Sequence, residues 1–226
     1  MEYKFAKQIC TGMVLFIFAI RAHAALVSNG SFEAGNFIDV SKLDVNNVDK
    51  KTSLPAGSTT ITDWRLTGHS IAWIGPDHPR VPLGASEGDY FLDLTSHSIG
   101  GSGGVVQSIS TVIGQVYELL FDLGSSSAYG KNSIIASAGG TTRKFEGIPK
   151  GGNQWNTFSL LFTATSTTTD IAFTGLGTDY QGIYIGLDNV SVEAVRIPEP
   201  TSLTLIGLAL ILLGYRRRRQ ESVRSD

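Results

Sequence analysis

The stretch Gly186-Leu187-Asp188-Asn189-Val190-Ser191-Val192-Glu193-Ala194-Val195 alternates apolar and polar residues. In an extended chain Val190, Val192 and Ala194 fall on one side, and Ser191 and Glu193 on the other. A second run, Val116 to Leu123, places Tyr117, Leu119 and Phe121 on one face in the same way. Further short runs of β type are Thr60–Leu66, Ser70–Ile74, Asp89–Leu94, Gly104–Ile109, Ser133–Ala136, Trp155–Thr163 and Thr169–Phe173. A short opening strand is expected at Ala25–Val27. Gly, Ser and Thr turns separate the runs, and no window between residues 25 and 197 sustains a 3.6-residue period. This pattern predicts an all-β domain, a sandwich or a barrel. The polar stretch from Ala34 to Thr60 reads as a long loop or insertion.

The flanks have a different composition. Lys4 and Lys7, the mostly apolar run Ile9–Ile20 and the small-x-small site Ala22-His23-Ala24 make a signal peptide over 1–24, cut by signal peptidase. At the other end Pro198-Glu199-Pro200 precedes an apolar segment, Thr201–Tyr215, and the cluster Arg216, Arg217, Arg218 and Arg219. Fifteen helical residues span about 22 Å at about 1.5 Å per residue, against a bilayer core of about 30 Å. Extension back to Pro198 and snorkelling arginines narrow the gap, so 201–215 is expected as a transmembrane helix whose basic cluster stays cytoplasmic. The domain limits are therefore 1–24, 25–197 and 198–226.

Between residues 25 and 197 stand ten Lys and Arg against sixteen Asp and Glu, about −6 in all. A mildly acidic domain without a basic stripe argues against nucleic acid and permits neutral sugars and divalent cations. The only cysteine, Cys10, lies in the signal peptide, so the exported domain has no disulfide.

No catalytic signature withstands inspection. Gly100-Gly101-Ser102-Gly103-Gly104 fits G-x-S-x-G, but a β-type run follows instead of a helix, and no histidine follows His97. His69, His78 and His97 lack metal-helix spacing. Asp89 and Asp93, four apart on one strand, would stand about 13 Å apart at about 3.3 Å per residue, too far for a glycosidase pair. Trp64, Trp73, Tyr90, Trp155, Tyr180 and Tyr184 are candidates for flat platforms against sugar rings. Trp64 and Trp155 read better as core, which leaves Trp73 and Tyr90 as the candidate ligand-binding pair.

The tail, Pro198-Glu199-Pro200 with its apolar helix and Arg216–Arg219, resembles the PEP-CTERM protein-sorting signal. That resemblance implies an exosortase partner, a precursor held in the inner membrane by its helix, and release to the cell surface or extracellular matrix. The opening Asn29-Gly30-Ser31-Phe32-Glu33 and the closing Leu187-Asp188-Asn189-Val190-Ser191-Val192 resemble the first and last strands of galactose-binding-like jelly rolls, as in choice-of-anchor C and DUF642-type bacterial domains. The resemblance implies a jelly-roll β-sandwich and a carbohydrate-binding or structural role in exopolysaccharide or biofilm. A polysaccharide-active hydrolase and a structural surface protein without a specific ligand are the alternatives. It also implies a structural calcium where the first and last strands meet, with Glu33 and Asp188 as the carboxylates, since two facing carboxylates repel unless a cation or a proton lies between them; the alternative is that Glu33 caps a turn and Asp188 accepts hydrogen bonds from backbone amides.

Overall fold

The computed structural model describes residues 25–38, 50–78, 84–95, 101–125, 133–147, 154–176, 185–195, 207–214 and 216. Eleven strands run in chain order: β1 Lys51–Leu54, β2 Arg65–Gly68, β3 Ile71–Ile74, β4 Phe91–Asp93, β5 Gly103–Ser110, β6 Val116–Ser125, β7 Ser133–Ala138, β8 Thr141–Glu146, β9 Gln154–Thr163, β10 Thr168–Gly175 and β11 Gly186–Ala194. They form a six-stranded sheet ordered β1-β3-β4-β11-β6-β9 and a five-stranded sheet ordered β2-β5-β10-β7-β8. Every ladder between named strands is antiparallel. The result is a two-sheet sandwich, as the alternating runs allow, of the jelly-roll kind that the family resemblance implies.

The core lies between the sheets because each long strand turns its apolar residues to one side. Tyr117, Leu119, Phe121 and Leu123 of β6 are buried, as are Ile171 and Phe173 of β10. Phe121 meets Phe173 edge-on at 5.0 Å between centroids and Phe145 at 5.1 Å, closing the layer between the sheets.

Three strands differ from the sequence reading: the run expected at Thr60–Leu66 is broken by a turn at Thr62 and Asp63, and β2 starts only at Arg65. β1 lies inside the polar stretch expected as a loop and pairs with β3 from Lys51↔Ile74 to Leu54↔Ile71. Only Thr52 and Leu54 of its four residues are buried. β8 is not among the expected strands; its sequence TTRKFE turns a single side chain, Phe145, into the core. The opening strand expected at Ala25–Val27 is a bend. Val27 is buried there nonetheless, and Gln107 holds the neighbouring Ser28, accepting from its N–H at 2.8 Å and donating to its carbonyl at 2.8 Å.

A register shift interrupts the β11–β6 ladder between Asp188 and Ser191, and Asn189 has φ 50°. Strict alternation would put Asp188 on the same face as Val190 and Val192. The bulge reverses the parity, so Val190 and Val192 enter the core while Asp188 stands opposite Asp122 on the outer face of the six-stranded sheet.

Residues 207–214 and Arg216 are helical, with Leu208, Leu210, Ile211, Leu212 and Leu213 exposed. Among the described residues no helix is long and apolar enough to cross a membrane. Residues 1–24, the motif Pro198-Glu199-Pro200, residues 201–206 and Arg217–Arg219 lie outside the described residues.

Candidate functional site

Polar side chains gather in two places. The first is the outer face of the six-stranded sheet, where Asp188 of β11, Asp122 of β6 and Thr157 of β9 stand in one cross-strand row. The segment 84–90 lies over this row. Asp188 Oδ2 accepts the backbone N–H of Ser86 at 2.7 Å and of Glu87 at 3.0 Å, and Oδ1 accepts that of Asn189 at 2.7 Å. Asp122 Oδ2 accepts the Ser86 hydroxyl at 2.5 Å and the Asn189 side-chain amide at 3.1 Å, and Oδ1 accepts the Thr157 hydroxyl at 2.6 Å. All four carboxylate oxygens are engaged, and both residues are buried.

Glu33 grips the same segment further along. Its Oε1 accepts the N–H groups of Asp89 and Tyr90, each at 2.9 Å. Gly88 lies between the two grips with φ 69°, and a Cβ there would stand 2.4 Å from Glu33 Oε1. The positive φ favours glycine, and any side chain added there would push the Glu33 carboxylate off its amides. Ala85 and Trp155 complete the cover by packing on Ala72, Ile74 and Phe91, and the Trp155 indole donates to the Gly84 carbonyl at 3.2 Å.

Burial pushes the Asp188 carboxyl up from its ordinary 3.8 to about 7; the amides of Glu87, Asn189 and Ser86 pull it back, and the neighbouring Glu33 charge adds to the rise. Glu33 and Asp188 hold the same segment at different points, Asp188 at Ser86 and Glu87 and Glu33 at Asp89 and Tyr90, where the sequence reading expects them to approach one ion. What faces Glu33 Oε1 and Asp188 Oδ2 is a set of amide N–H donors, which neutralise a carboxylate and repel a cation. This donor set fits a loop clamp and does not fit a calcium shell, which needs carbonyl and carboxylate oxygens turned inward. Among the described residues no group of three or more His, Cys, Asp or Glu is gathered to hold a metal ion.

The expected aromatic pair is placed differently from the sequence reading. Trp73 is 0 % exposed. It shares the inward face of β3 with Ile71, and its indole donates to the Phe32 carbonyl at 3.1 Å. Phe37 and Tyr90 pack beside it, at 5.2 and 5.5 Å between centroids. Trp73 is thus a core residue with no free ring face, and Tyr90 is half-buried against it. Trp64 is core, as expected; its indole donates to the Asn29 carbonyl at 2.9 Å. Trp155 lies half-buried on the outer face rather than between the sheets. Ser102 leads directly into β5, without the helix a nucleophile elbow needs. Tyr180, Tyr184 and His97 lie outside the described residues.

The second place is a groove on the five-stranded sheet. β2 pairs with β5 only from Gly68↔Gly103 to Arg65↔Val106. Before Arg65 the chain turns off the sheet at Asp63, whose φ is 65°. Residues 107–110 of β5 therefore run on without a β2 partner. Two adjoining depressions follow, of about 590 and 250 Å³, sharing Asp63, Gln107 and Ser108. Ala25, Ser28 and Ser110 border one, Thr59 and Arg65 the other. The Asp63 carboxylate accepts the Ser28 hydroxyl at 2.5 Å. Ser108 donates to Asp170 at 2.5 Å across the β5–β10 register. Two carboxylates and a guanidinium stand here among serine and threonine hydroxyls, all exposed to solvent. Sequence reasoning misses this set because Ser108 and Asp170 meet only through strand pairing and Asp63 only through the turn before β2; the one local signal is the outward Ser108 and Ser110 late in β5.

The structure is similar to TmCBM61, solved in complex with β-1,4-galactotriose, at 17 % identity and TM-score 0.49, with 76 % of this chain and 100 % of that chain covered. It is also similar to a CBM4 structure at 16 % identity and TM-score 0.39, covering 74 % and 99 %. A third is the K1 cleaved adhesin domain of Lys-gingipain from Porphyromonas gingivalis, at 14 % identity and TM-score 0.45, covering 65 % and 99 %. All three are distant likenesses. No curated protein sequence matches the chain. Residues 196–219 match the PEP-CTERM protein-sorting motif, which marks an exported protein. Residues 25–193, almost the whole sandwich, match the family described as protein of unknown function (DUF642), and the chain belongs to that family.

Proposed function

We propose that this is a non-catalytic envelope or extracellular-matrix protein, handed on by an exosortase-type system, whose sandwich binds extracellular polysaccharide in the groove over β5. The observation that carries the reading is the pair of joined depressions around Asp63, Gln107 and Ser108. Sugar hydroxyls are donors and acceptors spaced to chelate a carboxylate or a guanidinium, and charge-assisted hydrogen bonds are the stronger kind. Asp63 offers its carboxylate from the turn before β2, Arg65 its guanidinium from the sheet edge, and Asp170 its carboxylate from β10 opposite Ser108, with Ser110 nearby. Trp64 borders one depression but is only 1 % exposed, so it offers no open ring face, and affinity rests on hydrogen bonds and suits repeated, multivalent contact with a polymer.

A hydrolase reading has weaker support. The close carboxylate pair, Asp122 and Asp188, lies under Ser86 with every oxygen already accepting a hydrogen bond. A general acid or nucleophile needs a free oxygen at the scissile bond. The test is binding of the producing organism's exopolysaccharide to the protein and to Ser108→Arg, which fills the groove. Saturable binding weakened at least tenfold in the variant supports the reading; equal binding by both proteins removes the groove from it.

A further inference from the structure

At one end of the sandwich the β5–β6 turn, Thr111 to Gln115, points two aliphatic side chains into solvent. Val112 is 67 % and Ile113 64 % exposed. The turn is held firmly. Val112 N–H donates to the Tyr117 hydroxyl at 2.9 Å, Gly114 N–H to the Ala164 carbonyl at 2.8 Å, and the Thr111 hydroxyl to the Ser166 carbonyl at 2.9 Å. The outward aliphatics are thus a fixed presentation. Neither 111–117 nor the adjacent 163–169 contains a charged residue. An uncharged rim of threonine and serine around an aliphatic tip suits the boundary between headgroups and acyl chains, where a buried charge would be costly.

The position of the chain ends says what covers this tip. Gln115 donates to the carbonyls of Val116 and Val195, at 2.8 and 2.9 Å, and Val195 N–H donates to the Val116 carbonyl at 2.9 Å. The sandwich therefore releases its chain toward the sorting motif at the base of this turn. Six residue steps lead from Val195 to Thr201, a reach of about 20 Å at about 3.3–3.6 Å each. Ala25 and Leu26, which follow the expected signal peptide, border the same depression as Ile109 and Ser110. Both apolar flanks thus leave from the Val112–Ile113 end.

We infer that the Thr111–Gln115 turn is a membrane-surface contact: in the precursor, Val112 and Ile113 dip into the bilayer that holds the chain's own C-terminal helix. The inference rests on the exosortase-type export of the preceding reading and on the membrane-held precursor that the sorting motif implies. The contact fixes the orientation of the sandwich and sets the Pro198–Pro200 segment close to the lipid surface, where a membrane peptidase works. After processing the helix anchor is gone, and two aliphatic residues alone give only weak, reversible attachment.

The experiment uses the full chain with Cys10→Ser, reconstituted in vesicles of phosphatidylethanolamine and phosphatidylglycerol. An environment-sensitive fluorophore is placed in turn on Ile113→Cys, Leu210→Cys and Leu176→Cys. Leu176 is exposed and follows β10, whose eight residues put it roughly 25 Å from the tip at about 3.3 Å each. The expected result is a blue shift and quenching by lipid-borne quenchers at positions 210 and 113, and a water-like signal at 176. A water-like signal at 113 with a lipid signal at 210 overturns the tip contact and leaves the sorting helix intact. A water-like signal at both overturns the tip contact together with the membrane-held precursor. Equal lipid signals at 113 and 176 also overturn it, because the orientation would then be absent.

Discussion

Replacing Asp188 by asparagine isolates the energetics of the loop clamp. In the folded protein the carboxyl ionises near about 7 instead of 3.8. Below pH about 3.8 both the folded and the unfolded chain hold the proton, so the buried carboxyl takes nothing from the stability of the fold. As pH rises, the unfolded chain ionises first while the folded one keeps its proton, so stability is lost up to the folded value. A difference from 3.8 to about 7 amounts to about 4 kcal/mol at about 1.36 kcal/mol per pH unit. The side chain introduced by Asp188→Asn keeps a carbonyl for the Ser86 and Glu87 amides but turns its NH₂ toward the Asn189 N–H, which costs about 1–3 kcal/mol at any pH. The variant should therefore be less stable than the wild type at pH 4 and should draw level or pass it by pH 8. The assay is urea unfolding of both proteins at intervals from pH 4 to 8 in the presence of chelator, read as the difference in unfolding free energy. Parallel curves, with the same difference at every pH, would refute the claim that the buried Asp188 carries the linkage.

Three further outcomes follow from the same geometry. Calcium and chelator should leave the wild-type melting temperature equal within about a degree, since amide donors already face both carboxylates; a clear rise with calcium would restore the metal expectation for Glu33 and Asp188. Trp73→Phe removes the bond to the Phe32 carbonyl and some core volume, costing about 1–3 kcal/mol and several degrees of melting temperature without changing polysaccharide affinity; lost affinity at unchanged stability would return Trp73 to the binding site. Changing Pro198-Glu199-Pro200 to three alanines should leave full-length, membrane-bound precursor in the native host, and normal processing would remove the exosortase from the account.

The strands that the sequence shows best are those whose inward residues alternate without interruption. Tyr117, Leu119 and Phe121, or Val190, Val192 and Ala194, mark β6 and β11 directly. β1 and β8 are hidden because an edge strand covers the core with one or two side chains. Thr52 with Leu54, or Phe145 alone, is too little for periodicity to register. The opening and closing motifs point to one locus, since Glu33 and Asp188 hold the same segment, but what that segment offers them, backbone N–H rather than oxygen, is set by the turn at Gly88. The bulge at Asn189 likewise decides Asp188's face against the parity of its own strand. Trp73 is ambiguous in the sequence because a tryptophan on a short strand fits either face, and only pairing of β3 between β1 and β4 turns it inward. The groove depends on where β2 stops relative to β5, a property of two segments far apart in the chain.

The function expected of the sandwich is to hold polysaccharide over β5. It is tested most directly by titrating exopolysaccharide fragments from the producing organism into isotopically labelled protein and following the backbone amide resonances. Saturable shifts are expected, concentrated at Asp63, Arg65, Gln107, Ser108 and Asp170 and abolished by Ser108→Arg. Shifts gathered instead around Trp155 and the 84–90 segment, or no shifts at saturating fragment, would contradict it.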